Sequence, residues 1–185
     1  MPRTNLLARS VNDLGLAAWF GGVLMGATAV NRAPSDIADA AARAEVVGGA
    51  WDRWRPINAA AIGATVIGGT LLTVGNRERV VAQRGVAALS VVKTAITLVA
   101  VAGSAWSGWL GRRISAAGAV PVGDGTTPTD ATPPDVAVAL RRQHVLQWVI
   151  PALTGVLIVL NAAQGEQQRP GHVARGVVRR LRLAR

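Results

Sequence analysis

Few side chains in this sequence are equipped for chemistry, and they fall in two places. His144 follows Arg141 and Arg142, Arg112 and Arg113 close the preceding apolar run, and Arg53 and Arg55 lead into an earlier one. Convergent guanidinium forks beside an imidazole suit a carboxylate or phosphate, so these seven residues form a candidate anion site. Held apart at helix ends, the same side chains would instead anchor to lipid headgroups, which is the simpler expectation. The second place is Lys93, the one formal charge inside an apolar run. An ionisable group in a membrane segment marks function by default. Lys93 nevertheless lies within about two turns of its segment's end, close enough to snorkel. Asp13 opens another segment at the same face, so a structural contact between Asp13 and Lys93, or a snorkelled Lys93, is expected ahead of a transport role.

Much other chemistry is excluded by composition. The chain has no cysteine, two methionines and two histidines, which removes disulfides, thiolate metal sites and cysteine nucleophiles. A haem between facing helices takes two histidines, but only His144 is near a helix and His172 lies in the tail. Met1 and Met25 are too few for copper handling. There is no nucleophile elbow, phosphate loop or dinucleotide fingerprint. Asp124 and Asp130 do not match the ligand spacing of a calcium loop. No catalytic, metal or cofactor site is therefore expected.

The elements that position these residues follow from hydropathy. The 185-residue chain is half apolar, with mean hydropathy +0.32. Stretches 14–30, 57–74, 86–110 and 145–160 carry no charge except Lys93. A bilayer core needs about 20 residues at about 1.5 Å each. A soluble bundle would show a charged face on each helix, and these segments have none. The expected fold is all-α, an integral membrane four-helix bundle over residues 1–165, followed by a basic tail over 166–185. Ser10 with Asp13 reads as a capping box opening the first helix. Pro56 reads as the first turn of the second. Residues 135–160 read as one run that Pro151 should kink. Between segments, 36–46 reads as a short helix on the outer surface, and 114–134, rich in Gly, Thr and Pro, as a flexible connection.

Helix association in lipid relies on small residues and interhelical hydrogen bonds. Ala18, Gly22 and Gly26 recur at four-residue intervals, a small-xxx-small stripe for packing. Asn58, Thr65, Gly69 and Thr73 follow one face of the second segment; Lys93, Thr97, Ala100, Ser104 and Gly108 one face of the third; His144, Gln147, Pro151, Thr154 and Asn161 one face of the fourth. These stripes predict a tight bundle with a slightly polar interior. A narrow polar path or ligand cleft is the sharper alternative.

Orientation comes from the basic residues. Eleven arginines lie on the side of the two termini and eight on the other, which favours both termini in the cytoplasm. Trp51, Trp54, Trp106, Trp109 and Trp148 fall at the proposed outer boundary, as interfacial indoles do. A rival reading takes the first segment as a signal peptide cleaved near Ala27-Thr28-Ala29. In the tail, Val173, Val177 and Leu181 share one helical face and Arg175, Arg179 and Arg182 another. Such a helix lies on anionic lipid at about 1 kcal/mol per Arg; a solvated basic tail is the alternative. Nucleic acid is not an expected partner despite a net charge of +10, because no aromatic platform accompanies the arginines.

The run Leu14-Gly15-Leu16-Ala17-Ala18-Trp19-Phe20-Gly21-Gly22, then a long outer loop, a helix pair and Arg-Arg-Gln-His before the last helix, resembles small bacterial four-helix membrane proteins of unknown function. Its Trp-x-Gly-Gly is similar to the first helix of copper-resistance D-like membrane proteins. The resemblance covers 14–161 and implies a four-helix frame. Paired metal-binding histidines are missing, so it implies no metal site here. The expected role is that of a non-enzymatic subunit of the bacterial cytoplasmic membrane, helping a partner protein or homo-oligomer assemble. A small oligomeric transporter or exporter is the alternative, and an enzyme using the outer Arg/His group comes third.

Overall fold

A computed structural model of the chain describes the backbone of residues 2–75 and 84–167 and the side chains of 6–75 and 88–164. Helix α1 (Pro2–Met25) runs into a π-helical turn (Gly26–Val30) and a 3-10 turn (Ala33–Asp36). Then come α2 (Ala40–Gly75), α3 (Arg84–Ala116) and α4 (Pro134–Gln167). All four helices are long and apolar enough to cross a membrane. Asn161 near the end of α4 bonds Asn12 in α1, so the start of the first helix and the end of the last lie together. That is the terminal end of the bundle; the α1–α2 and α3–α4 connections make the loop end.

Every helix outruns its charge-free stretch. Hydrocarbon limits only the uncharged part, and the helix continues into the interface, where charges are solvated. Ser10 and Asp13 are therefore interior residues of α1 and form no capping box. Pro56 stands inside α2, sixteen residues after its start at Ala40. The bond it forgoes is to Asp52, an exposed residue whose carbonyl water can serve. The surface helix expected over 36–46 is not a separate element: from Ala40 onward it is the first part of α2. α4 runs on through Pro151 as one helix.

Helix α1 packs against both α2 and α4, and α3 rests chiefly on α4, with α2 and α3 meeting sparingly. The core is Leu16, Trp19, Ala61, Ala100, Leu110, Leu146, Ile150 and Leu157. Trp19 is fully buried, and its Nε1 donates to Ser104 Oγ at 3.2 Å. The backbones of α1 and α2 approach closely at two glycines. A methyl on Gly68 would stand 2.6 Å from the Asn12 nitrogen, and one on Gly15 would stand 2.7 Å from the Ala61 oxygen.

The small-residue stripe is thus displaced from its expected place. At about 100° per residue, Gly15, Gly22 and Gly26 share a face, while Ala18 lies about 60° away from Gly15 and is exposed. Gly22 and Gly26 are buried, but they admit indoles: a methyl on either would overlap Trp54 or Trp51.

The connection after α3 is pinned rather than loose. Val120 and Val122 are buried against Val136 and Leu140 of α4. An isolated bridge pairs Val122 with Pro128.

Candidate functional site

At the terminal end, amides tie all four helices together. Lys93 Nζ of α3 donates to Gln164 Oε1 of α4 at 2.7 Å. One turn earlier on α4, Asn161 Nδ2 donates to Asn12 Oδ1 at 2.9 Å and to Asp13 Oδ1 at 3.1 Å. The buried Asn12 donates onward to the Thr65 carbonyl of α2 at 2.7 Å. Lys93 and Asp13 thus engage neighbouring α4 amides instead of meeting directly. The sequence gives Asn161 on its polar stripe but not Asn12, which lies just outside the uncharged run.

At the loop end the wide π turn carries Asn31 inward, where it is buried and fully bonded. Its Oδ1 accepts from Trp51 Nε1 at 2.9 Å, its Nδ2 donates to Gln147 Oε1 at 2.9 Å, and its carbonyl accepts from the Gly125 N–H at 2.7 Å. A methyl on Gly125 would come within 2.9 Å of the Asn31 Cα, so glycine lets the connection lie this close. Gln147 Nε2 lies 3.3 Å from Thr126 Oγ1 and 3.2 Å from His144 Nδ1. Asp124 holds the turn by accepting the Thr126 and Thr127 N–H groups at 2.7 and 2.8 Å. His144, on α4, therefore lies against this turn, its Nδ1 3.2 Å from Thr126 Oγ1.

The arginines named with it do not converge. Arg55 pairs with Asp52 at 2.6 Å, Arg53 donates to the Gly49 carbonyl, and Arg113 lies 3.9 Å from Asp135 and over the Trp109 ring. Arg112, Arg141 and Arg142 are exposed. Such exposed pairs contribute about 0–1 kcal/mol and assemble no shared anion pocket. The seven residues mark the level at which α2, α3 and α4 leave their uncharged spans. The inward arginine is Arg43, which joins both connections by donating to the carbonyls of Ile37, Val122 and Gly123. Its stretch of balanced charge gave no signal of that role. Arg175, Arg179 and Arg182 lie outside the described residues.

Spanning this level is a cavity of about 120 Å³ lined by residues of α1, α2, α3 and α4. Val23, Ala27, Val47 and Ile150 give apolar wall, and Gly108 and Gly111 keep α3 slim beside it. Its polar lining includes Asn31, Trp51, Trp54, Arg55, Asn58, Ser104, Ser107, Ser115, Gln143 and Gln147. Gln143 Nε2 donates to Ser107 Oγ at 2.7 Å. Three other buried atoms of lining residues, Trp54 Nε1, Asn58 Oδ1 and Gln143 Oε1, have no hydrogen-bond partner among the described residues. Trp51 and Trp54 turn inward over Gly26 and Gly22, whereas Trp106, Trp109 and Trp148 stay exposed as interfacial indoles do. Asn58, Ser104 and Gln147 fall on the sequence stripes; Gln143, beside two arginines, does not. Compared with protein-family models, curated proteins and solved structures, the chain finds no match in any of the three.

Proposed function

We propose that this chain is a non-enzymatic multi-pass protein of the bacterial cytoplasmic membrane, with both termini inside, that serves as an accessory or assembly subunit. The observation that carries this reading is the amide clamp from Lys93 through Gln164, Asn161 and Asn12 to Thr65, which holds four helices in one register. A bundle that opened a path would have to break those bonds. Leu16, Trp19, Ala100 and Leu157 also fill the layer between the clamp and the loop-end polar groups. Helix α3 turns Val91, Val92, Leu98, Val99 and Trp106 outward, a face suited to another transmembrane helix as well as to lipid. The excess of arginines at the terminal end supports the orientation.

Purification at native abundance in mild detergent tests this. A stable complex with a second protein is expected. A homo-oligomer whose melting temperature responds to a solute would instead favour a small oligomeric transporter, the reading that the polar cavity at the loop end supports.

A further inference from the structure

We propose that the loop-end cavity binds a neutral, hydrogen-bonding head that carries a hydroxyl donor beside carbonyl acceptors. The unpartnered polar atoms motivate this. Buried polar groups without partners are uncommon, because each has given up its water without a replacement. Here the three residues that carry them, Trp54, Asn58 and Gln143, all line one cavity instead of being scattered. One is a donor and two are acceptors. Ser104 and Ser107 add hydroxyls whose oxygens accept from Trp19 and Gln143, which leaves their O–H groups to donate. A ligand matching this set must both accept and donate.

Charge and size narrow the class. Arg55 is the one charged residue on the lining, and it is already paired with Asp52. Arg55 and Asp52 together bring no net charge to the cavity, so a charged head would gain little there against the hydration it loses, and the site favours a neutral one. The cavity of about 120 Å³ is small beside a whole lipid. That admits a head group of a few atoms, with the remainder of the molecule outside. The cavity straddles the ends of the uncharged spans, with Asn58, Ser104, Ser107 and Gln147 inside them and Trp54 and Gln143 just beyond, between α2 and α3, which pack sparingly, so a glyceride-like lipid can present its head from the edge of the bilayer core. The same chemistry occurs in a free polyol ester. This inference is independent of the subunit reading, because it concerns the isolated chain.

The test is thermal unfolding of the purified full chain in mild detergent with three probes: 1,2-dioctanoylglycerol, glycerol monoacetate and dioctanoyl phosphatidic acid. Two variants accompany it. Trp54→Phe removes the N–H and keeps most of the ring, and Asn58→Leu replaces the amide at similar volume. Dioctanoylglycerol is expected to raise the melting temperature by several degrees, with apparent affinity roughly tenfold weaker in each variant. Phosphatidic acid should leave it unchanged. A shift from glycerol monoacetate that both variants weaken assigns the free solute as the source; silence from it, beside a shift from dioctanoylglycerol, assigns the lipid. The proposal is overturned if neither neutral probe shifts the transition, if the variants respond like the parent, or if phosphatidic acid acts equally. It is also overturned if Asn58→Leu simply raises the melting temperature and no neutral probe acts, the behaviour of a cavity holding water or nothing.

Discussion

Asn12 and Asn161 stand 149 positions apart in sequence and meet at 2.9 Å, Asn161 Nδ2 on α4 donating to the side-chain Oδ1 of Asn12 on α1. Because Asn12 also donates to the Thr65 carbonyl, this contact links three helices, and the bond from Lys93 to Gln164 one turn away adds the fourth. Interhelical hydrogen bonds in membranes contribute about 0.6 kcal/mol on average and up to about 1.7. Asn161→Leu removes the donor and leaves a buried acceptor, so it should destabilise the bundle by about 1 kcal/mol. Equilibrium unfolding in mixed micelles measures this; an unchanged midpoint would mean the clamp bears no load.

The glycines should divide by what surrounds them. Gly68→Ala forces a methyl against the Asn12 backbone and should cost on the order of 1–3 kcal/mol, since neither helix axis can yield without losing the clamp. Gly63→Ala meets open space in the same helix and should be neutral or slightly stabilising, by up to about 1 kcal/mol. The same unfolding assay on the pair checks both, and equal effects would contradict the close α1–α2 contact.

Lys93→Met should preserve insertion and fold, with a stability change of no more than about 1 kcal/mol, because the single bond to Gln164 is what it removes. Membrane yield and melting temperature provide the measure. Loss of a cellular phenotype in a variant that inserts and melts normally would show that the ammonium does more than bridge α3 to α4.

At the loop end, Asn31→Ala should be more damaging, by about 2 kcal/mol, since it strands Trp51 Nε1 and Gln147 Oε1 together. Trp51 should then gain contact with water, seen as a red shift in tryptophan emission. A variant with parental stability and emission would deny the hub its role.

The number and type of elements were legible because four uncharged runs have one physical solution in a bilayer. Their ends were not. Proline at 56 and the charges of Asp13, Arg53 and Arg55 resemble helix boundaries, yet interfacial water allows a helix to pass through them. The polar interior was half legible: Asn58, Gln147 and Asn161 stand out within apolar runs. Asn12 and Gln143 do not, because each lies at the edge of a charged stretch. Asn31 was hidden further, since a π turn rather than helical periodicity aims it inward. The arginines near His144 looked convergent in sequence, but side chains at the ends of different helices turn to local partners such as Asp52 and Asp135.

Four crossings, with both ends on one face, is the claim from which the rest follows, and the absence of native cysteine makes it directly measurable. Single cysteines at the exposed Ser35 and Ala131, one in each loop-end connection, can be probed with an impermeant maleimide in sealed membranes. Both should label from the same face, opposite to reporters fused at the two termini. Labelling from opposite faces, or from the face that holds either terminus, would contradict the four-crossing bundle.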